Sequence, residues 1–381
     1  MSGHRLRSAA ALTLLLLSAS LSGGCASPGS GTLDNAQIAR ELRNRGLDPD
    51  TVVIPFQMND EMRDWAHKLV PHDTAPEKRL ETLLAGLVNS DSPDKLKVEY
   101  EARYTGTAEE VFRTRKANCL AFTSLFVGMA REIGIPAFFL DVDDVEKFEK
   151  EGDLVVVSGH VSAGFGSGHD VKILDFSAAP QTSYRRVHRI SDMTAVALFH
   201  SNRGGELLRA GKQGEALPWL RKAVTIDPEL SGAWVNYGVA LRRSGDLAEA
   251  EAAYRKALEV DPEAVSAYQN LAALLRHQGK VKEAEELMTL SSRLGSRNPF
   301  IYLSLGDLSL SHGRIDEARR FYKRALRLYR DSAEPYAAMG IAALASGDET
   351  EAQRWMRKAL AIDQENQRVK VLVARLGGGR G

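Results

Sequence analysis

Three kinds of hydrophobic spacing succeed one another along the chain, and each predicts a different class of element. Residues 9–21 are almost uniformly apolar. That run is about 13 residues long, whereas a bilayer-spanning helix needs roughly 20. In the middle of the chain, Leu80, Leu83, Leu84, Leu87 and Val88 recur at helical spacing and predict a helix with one apolar face. Thr107 and Glu110 have capping-box spacing. Asn118 stands where an N-cap belongs, before a mostly apolar helix that Gly134 ends. Three extended runs follow, over 137–142, 154–163 and 171–176, so residues 33–196 read as mixed α and β. Beyond 196 the period lengthens. Alanine recurs every 34 residues at Ala216, Ala250, Ala284, Ala318 and Ala352, and glycine does so at Gly211, Gly245, Gly279, Gly313 and Gly347. A ring opens each unit (His200, Trp234, Tyr268, Tyr302, Tyr336), and a small residue follows four places later (Gly204, Gly238, Ala272, Gly306, Gly340).

Composition narrows the chemistry. A chain of 381 residues suggests about two domains. Fifty basic residues balance 50 acidic ones, and 44% of the chain is hydrophobic. Neutrality argues against a nucleic-acid partner, which a basic excess would announce, and the apolar content excludes general disorder. Two cysteines cannot build a disulfide scaffold or a four-ligand zinc site. His169 and Asp170 lie near His160 in sequence without a third spaced ligand, so no metal and no cofactor is expected. Gly164, Gly166 and Gly168 precede a strand rather than a helix, unlike a dinucleotide loop. His188 and His200 read as structural. The candidate chemistry falls on Cys25 and Cys119.

Arg5 and Arg7 precede the first apolar run, and Leu21-Ser22-Gly23-Gly24-Cys25 follows it. This resembles a secretory signal ending in the lipobox of bacterial lipoproteins, although Leu21 lies four places before the cysteine rather than three. The resemblance implies a signal peptide over 1–24 and a lipid on Cys25. The protein would then be held to a membrane of the cell envelope, and Ala26 in place of aspartate favours the outer membrane, facing the periplasm. Cleavage would remove two arginines and no acid. Residues 25–32 are small and polar and read as a flexible tether. Residues 33–74 read as a helical N-terminal extension.

The 34-residue unit resembles the tetratricopeptide repeat, over five copies at 197–366, with a capping helix and tail at 367–381. In the third copy Met288 and Ser291 depart from the pattern. The resemblance implies an all-α superhelix, in which no unit buries its apolar face alone and neighbours must stack. It also implies a groove that takes a protein or peptide partner. Asn202, Asn236 and Asn270 share one repeat position there and could hydrogen-bond a peptide backbone. Arg242 and Arg276, likewise one repeat apart, could meet a carboxylate. The alternative is that the asparagines belong to the repeat framework and the arginines are solvated.

Cys119 falls in the first turn of its helix, where unpaired N–H groups and the macrodipole favour a thiolate. Arg113, Arg115 and Lys116 just upstream could add to this or face solvent. A two-residue turn at Ser167-Gly168 would set His160 opposite Asp175, on one face of a hairpin. An acid so placed orients an imidazole toward a thiol. Cysteine on a helix N-terminus, then histidine and aspartate on successive strands, resembles the transglutaminase-like superfamily, with its papain-like α+β fold. The likeness covers 75–196 and is most specific around Asn118-Cys119-Leu120. It implies Cys119 as nucleophile, His160 as base and then acid, and Asp175 as the residue orienting it. Ala117 stands where the family often has glycine, and Ser162 where it often has tryptophan. The expected activity is attack on a peptide or protein amide, with hydrolysis favoured over crosslinking. The alternative is an inert domain on a non-catalytic repeat scaffold.

Overall fold

The structure is a computed structural model, and it describes residues 17–19, 32–71, 73–88, 95–151, 154–166, 171–174, 176, 187–293 and 298–377. Cys25, Asp175 and the Ser167-Gly168 turn lie outside the described residues.

Two compact units make up the chain. One comprises Met1–Lys147 and Val157–Ser244, the other Phe148–Val156 and Gly245–Gly381. In the first unit, α1 (Asn35–Asn44) opens with a capping box in which Asp34 and Gln37 exchange bonds. It leads to α2 (Asp60–Leu69), α3 (Pro76–Val88), α4 (Ala108–Thr114) and α5 (Cys119–Glu132). In α3, Leu80, Leu83, Leu84 and Leu87 are buried, as their spacing predicts. The Thr107–Glu110 capping box opens α4, Asn118 caps α5, and Gly134 turns the chain out of α5 at φ +77°.

Leu17–Ala19, inside the stretch read as a signal peptide, forms β1. The strands β2 (Glu99–Tyr100) and β3 (Lys116–Ala117) pair in parallel. A separate five-stranded sheet combines β1 with β4 (Phe138–Glu151), β5 (Leu154–Phe165), β6 (Val171–Leu174) and β7 (Val187–Ile190), in the order β1-β6-β5-β4-β7. The central helix α5 is buried at every position from Leu120 to Ala130. One continuous core runs from Ile38 in α1 through α5 and the sheet to Phe199 and Ile226. The N-terminal helices are therefore part of the same core as the sheet rather than an appendage. Short amphipathic helices of this kind bury their apolar faces where apolar surface is nearest.

The helices that follow come in pairs. They are α6 (Asp192–Arg209), α7 (Gln213–Ile226) and α8 (Ser231–Ser244) in the first unit. The second unit holds α9 (Leu247–Val260), α10 (Val265–His277), α11 (Val281–Arg293), α12 (Pro299–Ser311), α13 (Ile315–Leu328), α14 (Ala333–Ala345), α15 (Glu349–Ile362) and α16 (Gln367–Gly377). The five repeat glycines all take the left-handed conformation, with φ between +73° and +91°. That conformation suits glycine because it lacks a Cβ. The five repeat alanines are all buried. The helices α7 and α9 stop just before Asp227-Pro228 and Asp261-Pro262. A part-buried ion pair ties the last helices together: Arg368 of α16 grips Asp307 of α12 at 2.5 and 2.7 Å, and Tyr322 of α13 donates to the same carboxylate at 2.7 Å. Among the described residues no helix is long and apolar enough to cross a membrane.

Candidate active site

Cys119 is the first residue of α5 and is half-buried. Three local devices hold it. The side-chain oxygen of Asn118 accepts from Ala121 N at 2.9 Å, while its Nδ2 donates to Thr105 Oγ1 at 2.8 Å. The Asn118 N–H also bonds the Tyr104 carbonyl at 3.1 Å. Arg115, in left-handed conformation at φ +62°, turns the chain out of α4 and into the two residues that precede Asn118. Each link is short in sequence, so the segment from Tyr104 to Asn118 closes on itself just ahead of Cys119.

His160 arrives from β5, 41 positions later, and is buried. It hydrogen-bonds the Cys119 thiol. Thr123, one turn along α5, donates to the Val161 carbonyl at 3.3 Å and ties the helix to the strand beside this contact. Burial pushes the Cys119 thiol up. The hydrogen bond and charge of His160, with backbone bonds involving Val161 and Leu120, outweigh that and hold it below the usual cysteine value. Arg113, Arg115 and Lys116 have no part in this: all three are exposed, and Lys116 leans toward Glu101 at 3.8 Å.

The hairpin register differs from expectation. Ala163 faces Leu174, Gly164 faces Ile173 and Phe165 faces Lys172. This ladder is displaced by two residues from the one that a two-residue turn at Ser167-Gly168 would set, the one that places His160 against position 175. A two-residue shift keeps each side chain on its expected face, because strand side chains alternate with period two. Asp175 itself is outside the described residues. Its neighbour Phe176 stacks on Phe122 of α5, with centroids 3.9 Å apart and planes 6° from parallel.

Ser162 was not singled out for a role by its sequence. It is fully buried, and its Oγ lies 3.3 Å from His160 Nε2. The signal was present in the alternation of β5, which sets residues 160 and 162 on one face. Glu206 of α6 was also silent in sequence. It accepts from Thr105 N at 2.7 Å, so the first repeat helix braces the loop that Asn118 holds. Burial raises the Glu206 carboxyl above its ordinary range.

The residues expected to meet a partner separate. Asn236 donates to Ser201 at 3.0 Å, and Asn202 and Arg242 are half-buried. Arg276 is exposed. Asn270 is fully buried within α10, which is buried at every position from Ser266 to Leu275. The expected row of three open amides is therefore not presented, because α10 has no open face over that stretch and Asn270 lies inside it. His200, read as structural, is indeed buried, with Nε2 at 3.1 Å from the Val53 carbonyl.

Comparison with known proteins matches this architecture. Residues 63–141 match the transglutaminase-like superfamily, a span that includes Cys119 and ends before His160. Residues 205–300 match the middle tetratricopeptide-like domain of cilia and flagella-associated protein 70, and residues 309–376 match the tetratricopeptide repeat. No curated protein matches the chain. Among solved structures, PilF of Pseudomonas aeruginosa is 24% identical over 47% of this chain and 82% of its own, with a TM-score of 0.42. A tetratricopeptide protein of Thermus thermophilus is 20% identical over 47% of this chain and 98% of its own, with a TM-score of 0.40. MamA of Desulfovibrio magneticus is 19% identical over 45% of this chain and 97% of its own, with a TM-score of 0.36. The chain thus carries a transglutaminase-like domain followed by tetratricopeptide repeats.

Proposed function

We propose that this protein is a thiol enzyme of the cell envelope that opens peptide or protein amide bonds, with its repeats engaging a protein partner. The observation that carries the reading is the Cys119–His160 hydrogen bond at the start of α5, with the thiol held below its usual value despite burial. A buried cysteine without such a partner would be pushed the other way.

In this reading Cys119 Sγ attacks the amide carbonyl and its proton passes to His160. The Cys119 backbone N–H, at a helix N-terminus, supplies one donor to the developing oxyanion. His160 then protonates the departing amine, and a thioester remains on Cys119. Water, deprotonated by His160, releases the acid and restores the thiol. Ser162 or Asp175 would hold the imidazole from its far side. Cys25 would carry the lipid that anchors the chain. Tetratricopeptide repeats generally mediate protein–protein contacts, which supports the partner-binding role of the C-terminal helices.

The test is alkylation of the full chain carrying Cys25→Ser, so that Cys119 is the sole thiol. Iodoacetamide rates are measured from about pH 5 to 8, with and without His160→Ala. Rapid alkylation below about pH 7 that disappears with His160→Ala is expected. A thiol that reacts only as it approaches about pH 8.5, like an ordinary cysteine, would sink the enzyme reading.

A further inference from the structure

The chain is neutral as a whole, yet one helix of the second unit is strongly one-sided. In α13, Arg320, Lys323, Arg324 and Arg327 fall at i, i+3, i+4 and i+7 and so share a face. Like charges at these spacings repel and weaken the helix they sit on. Of the helix's other charges, Glu317 pairs with Arg314 at 2.7 Å, Arg319 pairs with Glu351, and Asp316 lies in the first turn, away from the stripe's far end. Among the described residues Arg320, Lys323 and Arg327 take part in no ion pair, and all three are exposed. These three cations therefore lack an acidic partner within the described fold.

It also borders a cavity. A cleft of about 640 Å³ lies between α11, α12 and α13. The four cations of α13 line it, and Arg293 faces them from α11. Glu317 is its single acid among the described residues. The remaining wall is Ser292 and two aromatic rings: Phe321 is half-buried, and Tyr302 lies under the Arg324 guanidinium at 5.0 Å. A volume in this range accommodates a ligand of drug size or a few side chains.

We infer that this cleft binds an acidic peptide segment interspersed with aromatic or large apolar side chains. Cations four residues apart on a helix repeat about every 6 Å, close to the roughly 6.7 Å between same-face side chains of an extended peptide. Guanidinium groups pair carboxylates in bidentate fashion, and Phe321 with Tyr302 receives the apolar residue between them. A concave, aromatic-backed cleft suits a chain entering it better than a bilayer surface, which meets a protruding apolar face. The neutral balance of the chain lacks the broad basic field that collects nucleic acid. This surface is distinct from the groove residues proposed from the repeat positions and does not depend on the thiol chemistry.

The test is fluorescence anisotropy of a labelled peptide of three Glu-Glu-Phe units, titrated with the full chain. Saturable binding that weakens as salt rises is expected, because exposed charge pairs are screened. The triple reversal Arg320→Glu, Lys323→Glu, Arg327→Glu should lose at least about tenfold in affinity, while Arg357→Glu, an exposed reversal on α15, should not. The fold is checked by the circular dichroism of each variant. Absence of saturable binding up to about 1 mM peptide, a free energy near −4 kcal/mol, overturns the inference. So does equal binding by the triple variant, or by a Lys-Lys-Phe peptide. Tighter binding of oligouridine RNA or of phosphatidylglycerol vesicles than of the acidic peptide overturns it as well.

Discussion

Asn118→Ala removes the side chain that holds the start of the Cys119 helix at two points. The lost cap to Ala121 N costs about 1 kcal/mol. Thr105, which is 1% exposed, loses the Asn118 donor to its hydroxyl but keeps its side-chain hydrogen bond to Glu206. A hydrogen bond lost from a group that stays partnered costs about 0.5–1.5 kcal/mol. Together the local loss is about 1.5–2.5 kcal/mol, or roughly 10- to 70-fold in an opening equilibrium. Hydrogen exchange of a peptide spanning 119–132 measures that opening directly, without assuming that both units unfold together. Asn118→Asp separates the two contributions. It keeps a cap acceptor of equal quality but no longer donates to Thr105, so it should recover about 1 kcal/mol of the loss. Protection in Asn118→Ala within threefold of the parent, or an aspartate variant as open as the alanine one, would contradict this account of the cap.

Two further outcomes follow from burial and packing. His200 is fully buried and its pKa falls to about 4, chiefly through desolvation, so the unfolded chain takes up its proton first as pH drops. Its contribution is complete above the ordinary value near 6.5 and is lost as pH falls toward 4, about 3 kcal/mol in all. Thermal unfolding at pH 7 and at about pH 4.5 should show this slope, and a His200→Gln variant with an undiminished slope would count against it. The neighbouring glycines of α6 should respond oppositely to alanine. A Cβ at Gly204 would lie 2.5 Å from Leu220, whereas one at Gly205 meets nothing within 4 Å. Urea midpoints should fall for Gly204→Ala by about 1–3 kcal/mol equivalent and rise for Gly205→Ala by up to about 1 kcal/mol. Equal shifts would show that the α6–α7 approach does not require glycine.

Features controlled by short-range chemistry were legible in the amino-acid order alone. Caps, left-handed glycines and proline stops act through bonds spanning a few residues, so Thr107–Glu110, Asn118, Gly134 and the repeat punctuation needed no coordinates. The 34-residue period likewise required helix pairs, because small residues recurring in register let paired helices approach at the same place in every unit. Contacts between distant segments were settled only by packing in three dimensions. The Ser167-Gly168 pair has good local turn chemistry, yet the ladder lies two residues from the one it would set, because turn preference alone does not fix strand register. The burial of Val171 and Ile173 beside Phe138 and Leu140 fixes which face of β6 turns inward, a choice that both ladders satisfy. The meeting of Cys119 with His160 and the bracing of Thr105 by Glu206 depend on loop closure over tens of residues. So do the burial of Asn270 and the gathering of α13's basic face around an aromatic cleft. A repeat pattern fixes which positions correspond, but only the packed neighbours decide which of those positions remain open.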